Sequence, residues 1–186
     1  MRVLAAVLVS LSLAGCFGPA LKESYFVLSA TEGAGAQPGA ASPSVYVGAV
    51  TIPEAVDRLA MVIGTGANRV EIDDANRWAE PLRSAIPRVL AENLRKELGT
   101  SSVASGRAAS QAVDFKVAVD IQRFDSSLES GATLDATWIV TPSKGGPART
   151  GRTVVTEPAS TREAFAAAHS RALARLARDL AEAIRR

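Results

Sequence analysis

The chain has 186 residues, 47% of them hydrophobic, and a net charge of +2 from 21 basic and 19 acidic side chains. That balance lacks the strong basic field of a nucleic-acid binder, although arginine raises the pI to about 9.0. With one cysteine and one histidine, the chain can build neither an internal disulfide nor a zinc site from those ligands.

Residues 1–15 read as a secretory signal. Met1-Arg2 gives a positive start, and Val3 to Leu13 is apolar apart from Ser10 and Ser12. Small residues then precede Cys16. The apolar run is too short to span a bilayer, which takes roughly 20 residues. Leu13-Ala14-Gly15-Cys16 is similar to the lipobox of bacterial lipoproteins, in which the thiol is acylated and cleavage leaves the cysteine first. Cys16 is therefore the lipidation candidate. Phe17 stands where an aspartate would favour retention in the inner membrane, so the expected location is the periplasmic face of a Gram-negative outer membrane. Residues 16–24 make the lipidated start and tether, and 25–186 one domain, long enough for a real core.

Ser24 to Leu28 predicts a first strand, rich in aromatic and β-branched residues. Thr31 to Pro43, rich in Gly, Ala and Pro, predicts a flexible loop between strands. Val45 to Val50 predicts the next strand. Met61–Gly64 and Arg69–Asp73 flank "GTGAN", whose glycines and asparagine suit a hairpin with positive φ. Leu82, Ile86, Leu90, Leu94 and Leu98 step by four into one apolar helical stripe that ends at Gly99. Pro87 leaves two options: a kinked helix, or a regular part that begins near Ser84.

Asp114 to Phe124 predicts the clearest strand, with Phe115, Val117, Val119 and Ile121 on one face and Lys116, Ala118, Asp120 and Gln122 on the other. Ala132 to Thr141 alternates too, grouping Leu134, Ala136, Trp138 and Val140, and Arg149 to Val155 predicts an edge strand. A capping box at Ser160 and Glu163 opens the last helix, whose buried stripe is Phe165, Ala172, Leu176, Leu180 and Ile184. The predicted fold is α+β: a two-layer sandwich with a mostly antiparallel sheet and two main helices on one face.

Catalytic signals are weak. His169 reads as a boundary residue of the last helix, and Asp73-Asp74 do not match a calcium loop, with Asp74 or Asn76 a helix-cap candidate. "GTGANR" lacks the ending of a phosphate loop, and no serine sits in Gly-x-Ser-x-Gly. The chain reads as a non-enzyme without cofactor or metal.

Four features in order carry a resemblance to the ABC-type transport auxiliary lipoproteins, also called the paraquat-inducible protein C family. "YFVL" follows the cysteine; a V-x-V strand runs into Ile52-Pro53, with Asp57-Arg58 beyond; "RWAEPL", Arg77 to Leu82, opens a helix that carries Asn93-Leu94. "VDFKVAVDIQRFDSS" and "ATLDATWIV" then match the family's paired strands, and an alanine-rich helix closes the chain. Ala55-Val56 depart from the family's usual aromatic and leucine, and the Thr31–Pro43 loop is longer than usual. The resemblance implies a non-enzymatic, outer-membrane-anchored component of a lipid transport system, working with an inner-membrane ABC transporter and its MCE-domain protein.

Pro53, Asp57, Arg58, Trp78, Pro81 and Leu82 are the candidate partner interface, with the Trp78–Pro81–Leu82 corner foremost. A structural account stands beside it. Pro53 ends a strand, Asp57-Arg58 is a turn ion pair of about 0–1 kcal/mol, and Trp78 fills the gap between hairpin and helix. Two-layer packing leaves little interior room for a lipid, so a homo-oligomeric ring is the expected assembly. The alternative function is an envelope assembly or secretion lipoprotein that binds a periplasmic protein or peptidoglycan.

Overall fold

The computed structural model describes residues 22–31, 42–106 and 112–186. Cys16, the signal segment and most of the Thr31–Pro43 loop lie outside the described residues. Eight strands and two helices follow in the order β1 (Ser24–Phe26), β2 (Val45–Thr51), β3 (Ala60–Gly66), β4 (Arg69–Trp78), α1 (Leu82–Leu98), β5 (Val103–Ser105), β6 (Phe115–Ser127), β7 (Gly131–Pro142), β8 (Arg149–Glu157) and α2 (Phe165–Arg185).

All the strands join one mixed sheet. The long ladders β6–β7, β7–β8 and β3–β4 are antiparallel, whereas β1–β4, β2–β5, β2–β6 and β3–β6 are parallel. One edge of β6 is shared: β2 pairs with its first half, and β3 meets it at Ser126 and Ser127. The sequence pattern explains which side is covered. Val117, Val119 and Ile121 face Val140, Trp138 and Ala136 across the β6–β7 ladder. A register shift between Ile121 and Arg123 then keeps Phe124 inward opposite Leu134. Both helices pack on this inner face.

In α1 the predicted stripe of Leu82, Ile86, Leu90, Leu94 and Leu98 is buried throughout. Each such side chain contributes roughly 1.5–3 kcal/mol of transfer free energy. Gly99 caps the helix in the left-handed conformation at φ 65, its N–H returning to the Arg95 carbonyl. Pro81 precedes the first turn, and Ser84 and Ala85 both donate to its carbonyl. The helix runs from Leu82 to Leu98 with Pro87 inside it, so regular helix begins before Ser84. α2 buries Phe165, Ala172, Leu176, Leu180 and Ile184 as predicted, and its alanines let it lie close to the sheet. The Ser160–Glu163 capping box does not form. α2 starts at Phe165 after Ala164, whose N–H reaches Thr161 Oγ1 at 3.3 Å.

Other local readings also change. Neither Gly64 nor Gly66 takes a positive φ, nor does Ala67 or Asn68. The hairpin instead absorbs a register shift between Gly64 and Gly66. Asp73, Asp74 and Asn76 belong to β4 and cap no helix; Asp73 Oδ1 accepts the N–H groups of Ala75 and Asn76. The short β5 carries no pattern strong enough to announce itself in three residues.

The chain leaving β1 crosses the helix layer as a strap. Leu28 is buried in the core, and its carbonyl accepts from Arg88 of α1. Ser29 N–H donates to Ser170 Oγ of α2, Thr31 N–H to Asn93 Oδ1, and Lys96 Nζ reaches the Thr31 carbonyl at 2.8 Å. Ser42 then meets the carbonyl of Gly99, so both ends of the intervening segment sit at the C-terminal end of α1.

The Trp138 indole lies across Gly151 of β8, and a methyl group there would come within 2.2 Å of the ring. The same indole donates to Thr153 Oγ1, which in turn donates to Asp179 of α2 at 2.6 Å. Gly151→Ala is expected to cost about 1–3 kcal/mol by overpacking, read as a lowered urea midpoint at unchanged slope.

Candidate functional site

The corner where β4 meets α1 was the leading candidate, and the structure divides its residues. Trp78 is 5% exposed and Leu82 1%. Trp78 packs 6.4 Å from the ring of Phe124 and 6.1 Å, edge on, from that of His169. Both residues are therefore core, because the end of β4 turns inward under α1. Pro81 and Arg58 are exposed, while Pro53 and Asp57 are half-buried. Asp57 is not the partner of Arg58: it pairs with Arg83 of α1, tying the β2–β3 connection to the helix.

His169 is fully buried, and its ring stacks on Phe124 at 3.9 Å. Nε2 lies 2.9 Å from Ser126 Oγ, while Nδ1 has no hydrogen-bond partner among the described residues. Burial pushes its pKa down to about 3, so the ring is neutral at physiological pH. Shielded in this way, it cannot meet a substrate in this conformation. A single helical histidine gave no hint of this depth, because the aromatic pocket that receives it comes from β4 and β6, far away in sequence.

Two surface concavities lie on the outer sheet face. A shallow trough of about 850 Å³ crosses β2, β6, β7 and β8, floored by small or short residues such as Ala49, Thr51, Ala118 and Thr137, with Ile139 beside them. Arg152 lines it and holds Asp135 by two bonds of 2.6 and 2.8 Å. That hydrogen bonding keeps the Asp135 carboxyl below its ordinary pKa. A cleft of about 460 Å³ separates the β3–β4 hairpin from the β6–β7 turn. Val56, Val62 and Val70 line it together with Arg123, Asp125 and Thr133. Neither concavity gathers a nucleophile, a base and an oriented partner, and no group of three or more potential metal ligands occurs among the described residues. What the outer face offers is contact area.

A family model described as the ABC-type transport auxiliary lipoprotein component matches residues 26–181. The chain belongs to this family. As a transport auxiliary lipoprotein it shares its fold with solved structures of low sequence identity. One, the crystal structure of an uncharacterized protein, is 18% identical with a TM-score of 0.69, covering 88% of this chain and 99% of its own. Another, protein XCC0632 from Xanthomonas campestris, of the DUF330 family, is 16% identical with a TM-score of 0.63, covering 85% and 92%. No curated protein sequence matches significantly. No described helix is long and apolar enough to cross a membrane.

The buried neutral His169 couples the auxiliary lipoprotein's stability to pH. The unfolded chain protonates this side chain below about 6.5, whereas the folded chain resists down to about 3. The contribution is complete above pH 6.5 and is lost as pH falls through the window below it, by up to about 1.4 kcal/mol per pH unit. Urea midpoints are expected to fall between pH 7 and pH 5, and the pair His169→Leu with Ser126→Ala to remove that part of the slope.

Proposed function

We propose that this protein is an outer-membrane-anchored periplasmic component of an ABC/MCE-type intermembrane lipid transport system, with no catalytic step of its own. The observation that supports this most is the family match over residues 26–181, nearly all of the chain after the tether. The packed interior agrees with it. Thirty or more apolar side chains and both helix stripes close one face of the sheet, and the sizeable concavities described above are open surfaces. Such a molecule acts by contact: it joins other proteins, and does not enclose a lipid whose acyl chains need several hundred Å³ of apolar pocket.

The role of Cys16 follows from its place at the end of the signal segment. Acylated, it holds the domain at the periplasmic face of the outer membrane, each buried methylene adding about 0.8 kcal/mol. Cys16→Ser is expected to abolish palmitate labelling and release a soluble periplasmic protein; a variant that still takes up label and pellets with outer membranes overturns the assignment.

The partner in this reading is an MCE-domain protein of the same transport system, met by Arg58, Pro81 and the outer sheet face. Several copies arranged in a ring would surround or cap a lipid passage that one copy has no room to form. Light scattering on the domain from Phe17 onward is expected to give a multiple of the subunit mass, and a heavier complex once the MCE-domain protein is added. A single-subunit mass in both conditions overturns the assembly. The same mass with and without the MCE-domain protein overturns the partner.

A further inference from the structure

The β3–β4 hairpin separates its two faces sharply. On the inner face Met61 and Ile63 are buried, while Glu71 and Asp73 are held by Arg162 at 2.8 and 2.7 Å. On the outer face Val62 stands opposite Ile72 and Gly64 opposite Val70. Gly64 has no side chain with which to cover its neighbour. Val70 is consequently 58% exposed and Ile72 47%. Beside them at the turn, Arg69 bonds only the Thr65 hydroxyl, with its Nε at 3.1 Å, and has no carboxylate partner among the described residues. Exposed apolar side chains next to an unneutralised guanidinium suit a phospholipid surface: the valine and isoleucine meet acyl chains while the cation meets phosphate.

The direction of β1 says which end of the molecule faces the membrane. β1 pairs parallel to β4, with Ser24 beside Asn76 and Phe26 beside Trp78. Followed backward from Ser24, the chain therefore departs toward the earlier residues of β4, which lead to the hairpin turn. Ser24 lies eight chain steps beyond Cys16, a reach of at most roughly 27 Å. From Asn76 back to Arg69 is seven residues of strand, about 23 Å. That reach allows a lipid on Cys16 to set the bilayer at the level of the hairpin tip.

From this the geometry points to the outer face of the hairpin, Val62, Val70 and Ile72, together with Arg69 at its tip, as a second membrane contact that seats the anchored domain on the phospholipid surface. This rests on the acylated-Cys16 reading above. Four side chains fall short of what a second copy needs, since a stable interface takes roughly 20–30 residues a side. For a domain already tethered to the bilayer a small contact suffices, because the tether supplies the effective concentration. The contact would fix which side of the domain turns away from the membrane.

The test uses the full acylated protein in vesicles of phosphatidylethanolamine and phosphatidylglycerol. A nitroxide is attached at Val70→Cys or Ile72→Cys, Cys16 being blocked by its lipid, and at Val154→Cys as a reference that is 59% exposed on the same sheet face. The ratio of collision rates with oxygen and with a water-soluble nickel chelate is expected to be severalfold higher at both hairpin positions than at the reference. Protein that sediments with the vesicles yet gives equal ratios at the three sites overturns the hairpin contact and leaves the anchor standing. Protein that does not sediment overturns the anchor, and the contact with it. Spin–spin broadening between hairpin labels would assign the patch to a second copy and likewise overturn the proposal. The two hairpin positions check one another, and an unchanged circular dichroism spectrum confirms that each variant is folded.

Discussion

Strand β6 is the constraint on which the remaining elements depend. It is thirteen residues long and pairs with β7 along its whole length. Its other edge must serve two partners, β2 first and β3 after it. Such division requires the strand to bend between them, and the register shift at Ile121–Arg123 supplies that bend without turning Phe124 outward. Were the shift lost there, strict alternation would turn Phe124 out of the ring cluster that receives Trp78 and His169, and the end of β4 would lose its seat beneath α1.

The helix layer is held to this sheet by more than apolar area. Arg149 of β8 caps the last carbonyls of α2 at Ala183 and Ile184, with its guanidinium also lying over the Phe115 ring. Arg185 reaches the Glu97 carbonyl at the end of α1. Several of the chain's arginines thus act at helix C-termini, where the backbone dipole favours a cation. The exposed ion pairs elsewhere, such as Arg186 with Glu182, contribute little by comparison.

Legibility from the sequence followed the reach of each signal. Strict alternation in Phe115–Gln122 and the four-residue step of Leu82–Leu98 are local consequences of burial on one face, so the sheet, both helices and the covered side could be read directly. What failed was set by residues distant in the chain. The Ser160–Glu163 pattern matched a capping box, yet Arg162 within it is drawn to Glu71 and Asp73 on the hairpin, and the helix starts later. Trp78 stood both as a gap-filling core residue and as part of the foremost interface corner, and the deciding ring contacts come from β6 and α2. Asp57 looked paired with its neighbour because the competing Arg83 lies 26 positions on. At the site, the reading of Cys16 rests on the sequence alone, while the hairpin's bare outer face became visible only once Gly64 was placed opposite Val70.

The strap that follows β1 has a mechanical meaning. Because β1 lies parallel to β4 and leads into Leu28, a pull applied ahead of Ser24 acts along the strand axis. The β1–β4 hydrogen bonds would then share the load in shear and not open one by one. Behind them Leu28 is wedged in the core, and the bonds to Arg88, Ser170, Asn93 and Lys96 distribute the force over both helices. Such a load would reach the core through Leu28 and the two helices together, while the edge strand β8 makes none of the strap's bonds.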